Sequence, residues 1–291
     1  MNSPIGLGQV KNVQYGTAQK QFNISDAINF IFPVPPLPEQ HAIAVTLSNV
    51  DSLLAVLDAL IAKKRLIKQG TMQELLTGDK RLPGFSKEWK IKKLGELGKC
   101  LRGVSYKGES DLSSNDTDKT TRLLRSNNVQ VASVIFEGIQ FVNSQRVSDH
   151  QILRDNDILI CMANGSKDLV GKAASFQVRD HYKYTFGAFM GCFRLNTSES
   201  FPLFVSQTFQ TNRYRNYIAN LIAGSSINNL KPSDIESIEI PFPSLPEQQA
   251  IAEVLGDMDA EIAALETRRE KTSLLKQGMM QELLTGKIRL V

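Results

Sequence analysis

A long internal repeat constrains this chain more than any other feature. The segment PPLPEQHAIAVTLSNVDSLLAVLDALIAKKRLIKQGTMQELLTGDKRL, starting at Pro35, recurs without a gap as PSLPEQQAIAEVLGDMDAEIAALETRREKTSLLKQGMMQELLTGKIRL, starting at Pro243. Shared helix composition cannot produce a match that keeps its register through caps and breakers, so the two copies are expected to adopt one structure. Each copy reads as a single helix. Leu37-Pro38-Glu39-Gln40 and Leu245-Pro246-Glu247-Gln248 place proline in a first turn, where its missing N–H costs nothing, and an acid near the positive end of the helix dipole. In the second copy Ser244 and Glu247 have capping-box spacing. Gly78 and Gly286, each after a threonine, supply the residue that accepts a left-handed stop. Each helix is then about 39 residues, or about 58 Å, long.

A helix of that length needs a partner along it. Leu47, Val50, Leu54, Leu57 and Ile61 step by three and four, as do Leu255, Met258, Ile262 and Leu265, which is the pattern of a coiled-coil seam. An amphipathic helix lying on a globular core is the competing reading of the same stripe. If the copies pair with each other, the domain joining the end of the first to the start of the second makes them antiparallel and sits at one tip of a rod.

The intervening stretch, residues 82–243, has a different texture. Short β-like runs at Ser133–Phe136, Asp157–Ile160, Ala173–Phe176 and Cys192–Leu195 are bounded by polar and glycine turns, Trp89–Leu94 reads as an opening strand, and a helix is expected near Phe201–Ile222. The fold class is therefore α+β, one recognition-sized domain flanked by two long helices forming an antiparallel coiled coil. Residues 37–81 and 244–291 are the helix regions. Residues 1–36 are too few for a second such domain, yet Gly16–Pro35 aligns with Gly224–Pro243, so they read as the remnant of a preceding one.

Composition narrows the function classes. The net charge is +4, and the surplus falls between about residue 83 and residue 243 while the flanks balance, a weak pointer to a polyanion. No run approaches about 18 consecutive apolar residues and the start lacks a signal-peptide layout, which points to the cytoplasm and away from a membrane. Cys100, Cys161 and Cys192 lack C-x-x-C spacing, and His41, His150 and His181 lack i,i+4 partners, so no metal site or disulfide framework is expected. Gly165 to Ala173 comes nearest to a phosphate loop, but five residues rather than four separate its glycines and alanine stands where a Mg²⁺-binding hydroxyl belongs. Asp155, Asp157 and Asp168 lack the acid-x-lysine partner of a nuclease centre.

Ile238-Glu239-Ile240-Pro241-Phe242-Pro243-Ser244-Leu245-Pro246-Glu247-Gln248-Gln249-Ala250-Ile251-Ala252 resembles the conserved helix start of the specificity subunits of Type I restriction-modification systems, and so does the first copy. Leu123–Val129, Leu153–Ile160 and Gly224–Leu230 resemble the looser framework of that family's target-recognition domain. The resemblance implies a non-catalytic subunit that binds double-stranded DNA sequence-specifically. It also implies two methyltransferase (modification) subunits carrying S-adenosylmethionine, and a restriction subunit, the motor and nuclease, using ATP and Mg²⁺. The family pattern has two recognition domains where this chain has one, which leaves open a truncated product, a half-length subunit acting as a homodimer, or a piece working with another chain. A coiled-coil scaffold that binds protein rather than DNA is the alternative of a different class.

DNA reading needs cations for phosphates and amides or guanidinium forks for base edges. The candidates are Arg102, Lys107, Arg125, Asn127, Asn164, Ser166, Lys167, Arg213, Arg215 and Asn228. Each is equally the kind of residue that forms a turn or a solvated surface.

Overall fold

A computed structural model of the chain describes residues 4–17, 19–130, 132–177, 180–196, 198–223 and 228–290. Two compact units are present, one built from the chain up to Ile67 and from Met258 onward, the other from Lys68 to Asp257. The repeat copies form helices Leu37–Thr77, of 41 residues, and Leu245–Leu283, of 39. Gly78 and Gly286 follow them with φ of +82° and +75°, the left-handed geometry that lets the last turn close without a Cβ clash. The Glu247 carboxylate, at capping-box spacing from Ser244, accepts from Arg81 and Trp89.

In the first unit the helices pair antiparallel. Asp51 bonds Lys276, Asp58 bonds Arg269, Lys64 bonds Glu261 and Arg65 bonds Glu266, at 2.5–2.9 Å, so partners on the second helix recede as those on the first advance. Leu57, Ile61 and Ile262 are buried, and Leu47, Val50, Leu54, Met258 and Leu265 are half-buried. Leu255, from the second copy's seam, lies in the other unit and is fully buried. Among the described residues the first long helix is the one long and apolar enough to cross a membrane, with a mean hydropathy of 1.6 over its best window. Its apolar stripe is the seam of a helix pair, and Asp51 and Asp58, a heptad apart, are ion-paired to the second helix.

Among the described residues the second unit has ten strands: β1 (Lys90–Lys93), β2 (Gly98–Arg102), β3 (Leu112–Ser113), β4 (Thr120–Leu124), β5 (Gln140–Asn143), β6 (Ile158–Cys161), β7 (Ala173–Ser175), β8 (Tyr184–Phe186), β9 (Met190–Leu195) and β10 (Glu239–Phe242). They form a β2-β9-β6-β7 sheet, a β3-β5-β4-β8 sheet and a β1-β10 pair. The main core lies between the two larger sheets, where Leu124, Tyr184 and Phe186 from one meet Leu159, Cys161, Ala174, Met190 and Cys192 from the other. Leu123, one residue along from Leu124, points to the opposite face and packs with Val104 and Val142, as the two-residue period of a strand requires. β6 is buried at every position. Its neighbour Phe193 on β9 stacks on Phe209, which stacks on Tyr214, so the outer face of that sheet is covered by helical chain.

Two local expectations need correction. Ser133–Phe136 is not a strand: Val134 makes one bridge to Val129, and the buried Asn128 amide donates to the carbonyls of Ile135 and Glu137, taking the place of a neighbouring strand. The helix over Phe201–Ile222 is broken into Pro202–Thr208 and Asn212–Ala223. The Thr211 hydroxyl accepts from the Tyr214 N–H and so caps a new helix start. Residues 224–227 of the Gly224–Leu230 framework match lie outside the described residues.

The segments preceding the two long helices, alike in sequence, differ in structure. Ile240 and Phe242 are buried in β10, paired with β1. Their counterparts Phe32 and Val34 are exposed and lie outside any described strand.

Candidate nucleic-acid interface

Strand directions bring most of the candidate residues to one end of the second unit. β4 and β8 run parallel, so Leu124 and Phe186 finish together. β2 and β6 both run antiparallel to β9, which sets Arg102 opposite Gly191 and Cys161 opposite Met190. The C-terminal ends of β2, β4, β6 and β8 therefore converge on the turn Gly187-Ala188-Phe189, where the chain crosses from one sheet to the other. Arg102 ends β2 and Lys107 follows it; Arg125 and Asn127 follow β4; Asn164, Ser166 and Lys167 follow β6.

Main-chain hydrogen bonds fix these loops to one another. Gly187 N–H donates to Leu124 O at 3.0 Å, Val104 N–H to Phe186 O at 2.7 Å, and Met162 and Ala163 N–H both donate to Phe189 O, at 2.9 and 3.1 Å. Gly103 is required there, since a Cβ on it would lie 2.0 Å from the Gly187 carbonyl oxygen. Asn228 joins the cluster through Asn164 N–H, which donates to its carbonyl at 3.4 Å.

Within this frame the side chains differ in freedom. Arg102, Lys107, Asn127, Ser166 and Lys167 are exposed. The Asn164 carboxamide oxygen accepts the Ser166 N–H at 2.9 Å, forming an Asx turn that holds the loop, and its NH₂ donates to the Cys161 sulfur at 4.0 Å. Arg125 is half-buried against Gly187, and its Nε is buried with no hydrogen-bond partner among the described residues. Nearby, Asp111 is held below the usual carboxylate range by the Lys107 N–H and by Arg146, and the Lys107 charge acts in the same direction. Burial pushes the Cys161 thiol up, so it stays protonated.

Arg213 and Arg215 stand apart, on helix Asn212–Ala223. Arg215 reaches the Asp168 carbonyl at 2.9 Å and so clamps the loop after β6. Arg213 lines a narrow groove with Leu76, Thr77 and Ile238. Sequence reasoning passed over Phe189, which is 70% exposed at the centre of the convergence. A lone aromatic beside Gly187 has no periodicity to mark it.

The Gly165–Ala173 loop is not built for phosphate. The N–H groups of Leu169, Val170, Gly171 and Lys172 donate to protein carbonyls and that of Ser166 to the Asn164 carboxamide, so these five are not turned to an anion. Asp157 is equally committed: it accepts two bonds from Arg194, at 2.6 and 2.8 Å, and one from the Arg154 N–H. Among the described residues there is no cluster of ligands able to hold a metal ion. What this end of the unit offers is hydrogen-bond donors, amides and cations on a rigid frame, the equipment of nucleic-acid recognition.

Comparison with known proteins decides the family. Residues 7–63 and 86–275 match the family described as the Type I restriction modification DNA specificity domain. The chain belongs to this family. Over 200 residues, 69% of the chain, it is 33% identical to the specificity subunit of the type I restriction enzyme StySPI of Salmonella potsdam, and equally to that of EcoKI of Escherichia coli strain K12. Each match spans 42% of the relative's length. Solved structures share the fold: the HsdS subunit of Thermoanaerobacter tengcongensis superposes with a TM-score of 0.56 at 17% identity, covering 99% of this chain and 68% of that one. A chain from a structure concerned with assembly and conformational transition of the type I R-M system gives 0.66 at 17% identity, covering 98% and 69%.

Proposed function

We propose that the chain reads double-stranded DNA as the specificity component of a type I restriction-modification complex, without chemistry of its own. The observation that carries this is the convergence of Arg102, Lys107, Arg125, Asn127, Asn164, Ser166, Lys167 and Asn228 on one rigid end of a DNA-specificity domain. Lys107 and Lys167 neutralise phosphates, while Arg102, Asn127 and the Asn164 NH₂ address base edges. Arg215 positions the loop after β6, and Arg213 serves the seat of the first helix end rather than DNA.

The paired helices are a spacer and a platform. Two methyltransferase subunits, which hold S-adenosylmethionine, dock on them, and a restriction subunit using ATP and Mg²⁺ joins that assembly in the cytoplasm. The exposed Phe32 and Val34, set against the buried Ile240 and Phe242 at the same repeat positions, favour a seat for a second recognition domain before the first helix. Residues 1–36 are then the tail of such a domain.

A salt titration tests the reading. Full-length chain, alone and with the modification subunits of its own system, is titrated onto labelled duplex DNA from low to high salt. Affinity is expected to fall linearly on logarithmic axes in both states and to become sequence-dependent in the complex. Absence of any salt-dependent affinity in both states would sink it.

A further inference from the structure

The turn Gly187-Ala188-Phe189 combines two properties that seldom coincide. Its backbone is tied to three other segments, at Val104, Leu124 and Met162–Ala163, and closes on itself through Met190 N–H to Gly187 O at 2.8 Å. Flanking Phe186 and Met190 are buried to within 1%. Yet the Phe189 ring is 70% exposed. A large apolar ring held out by a fixed backbone is spared the ordering cost of a flexible loop when something covers it. Tyr106, Leu123 and the Arg125 stem lie around Gly187, and Asn164 directly follows Ala163, whose N–H bonds the Phe189 carbonyl.

We infer that Phe189 is a specificity-determining residue that packs on the 5-methyl group of a thymine in the major groove. This rests on the DNA-reading function proposed above. Among base edges in that groove, the thymine methyl is the apolar feature, and an aromatic or aliphatic side chain is what reads it. Cations and amides beside the ring would bond phosphates and neighbouring base edges, while the ring supplies the one contact they cannot make. The ring's fixed position makes that contact sensitive to register, so it should act at one base pair.

The test uses the complex of full-length chain with its modification subunits and a pool of random-sequence duplexes. Wild type and Phe189→Ala are each taken through rounds of selection, and selected duplexes are resynthesised with deoxyuridine replacing each thymine in turn. Wild type is expected to enrich a defined sequence and to lose about tenfold in affinity on removal of one particular methyl, within the range of one good base contact. Phe189→Ala is expected to keep the rest of the motif, lose preference at that position and ignore the deoxyuridine change there. Phe189→Leu should restore part of the preference, showing that an apolar contact and not folding is at issue. An unchanged motif and unchanged methyl sensitivity in Phe189→Ala would overturn the inference while leaving the DNA-reading function standing. Loss of modification-subunit association with DNA selection retained would overturn it in favour of a protein contact. A wild-type complex that enriches no sequence would overturn both.

Discussion

Glu247 grips Arg81 through both carboxylate oxygens, at 2.5 and 2.7 Å, from the repeat position at which Glu39 grips Arg289 at 2.6 and 2.5 Å. In each case the acid opens one long helix and the arginine follows the glycine stop of the other. The repeat is thus reciprocal: each copy carries one half of two equivalent clasps, which gives a physical reason for retaining both Leu-Pro-Glu-Gln and the terminal Arg-Leu. The surroundings differ, because Glu247 is 1% exposed and also accepts from Trp89 Nε1, whereas Arg289 is half in solvent.

Removing the buried clasp should be costly. Glu247→Gln leaves the Arg81 guanidinium without its counter-charge, and breaking such a pair costs about 3 kcal/mol. Glu39→Gln, at the more solvated clasp, should cost less. Urea unfolding midpoints of the two variants measure the contrast, and equal losses would show that burial does not distinguish the clasps.

Acid should weaken the fold through the same kind of group. Arg289 holds the Glu39 carboxyl below its usual range, and Lys92 does the same for Glu199. A carboxylate whose folded pKa is depressed adds stability that is fully present above its unfolded value and lost as pH falls through the folded one. Urea midpoints should be level from pH 7 to about 5 and decline below about 4, where carboxylates titrate. A midpoint that rises on acidification would contradict this.

The cysteines should be silent in the native state. Burial pushes Cys100 to about 12 and holds Cys192 well above the ordinary thiol value. A thiol-reactive chromogen at pH 8 should report no fast reaction until denaturant is added, since the thiolate is the nucleophile. Rapid labelling of the folded chain would refute the packing of the β2-β9-β6-β7 sheet.

Gly103 and Gly165 offer a matched pair. A Cβ at Gly103 meets the Gly187 backbone, whereas one at Gly165 meets nothing within 4 Å. Gly103→Ala should destabilise by about 1–3 kcal/mol, the cost of overpacking, and Gly165→Ala should be nearly neutral. Thermal unfolding of both variants decides it.

The sequence disclosed the long helices because repeat identity and seam spacing are local and redundant, and Gly78 and Gly286 marked their ends. β6, β7 and β9 were legible as short β-like runs, and β1 as an opening strand within Trp89–Leu94. β4, β5 and β8 were not, since Arg122, Asn143 and Thr185 interrupt the apolar pattern and their pairing is long-range. The break at Phe209–Thr211 escaped the periodicity because apolar spacing runs on through it, and it depends on the Thr211 hydroxyl capping a new start. Residue type alone selected Arg102, Asn164 and Asn228, and strand direction, which no single sequence states, is what gathers them. Phe189 was invisible for the converse reason: its residue type suggests core, and only its exposure sets it apart.

Genome-wide mapping of methylated bases, in cells expressing the modification subunits with and without this chain, measures most directly whether the chain supplies sequence specificity to a modification complex, as proposed. One discrete methylated motif that appears only with the chain, and changes when residues 82–243 are replaced by another recognition domain, is predicted. A motif that persists without the chain, or survives the replacement unaltered, would contradict it.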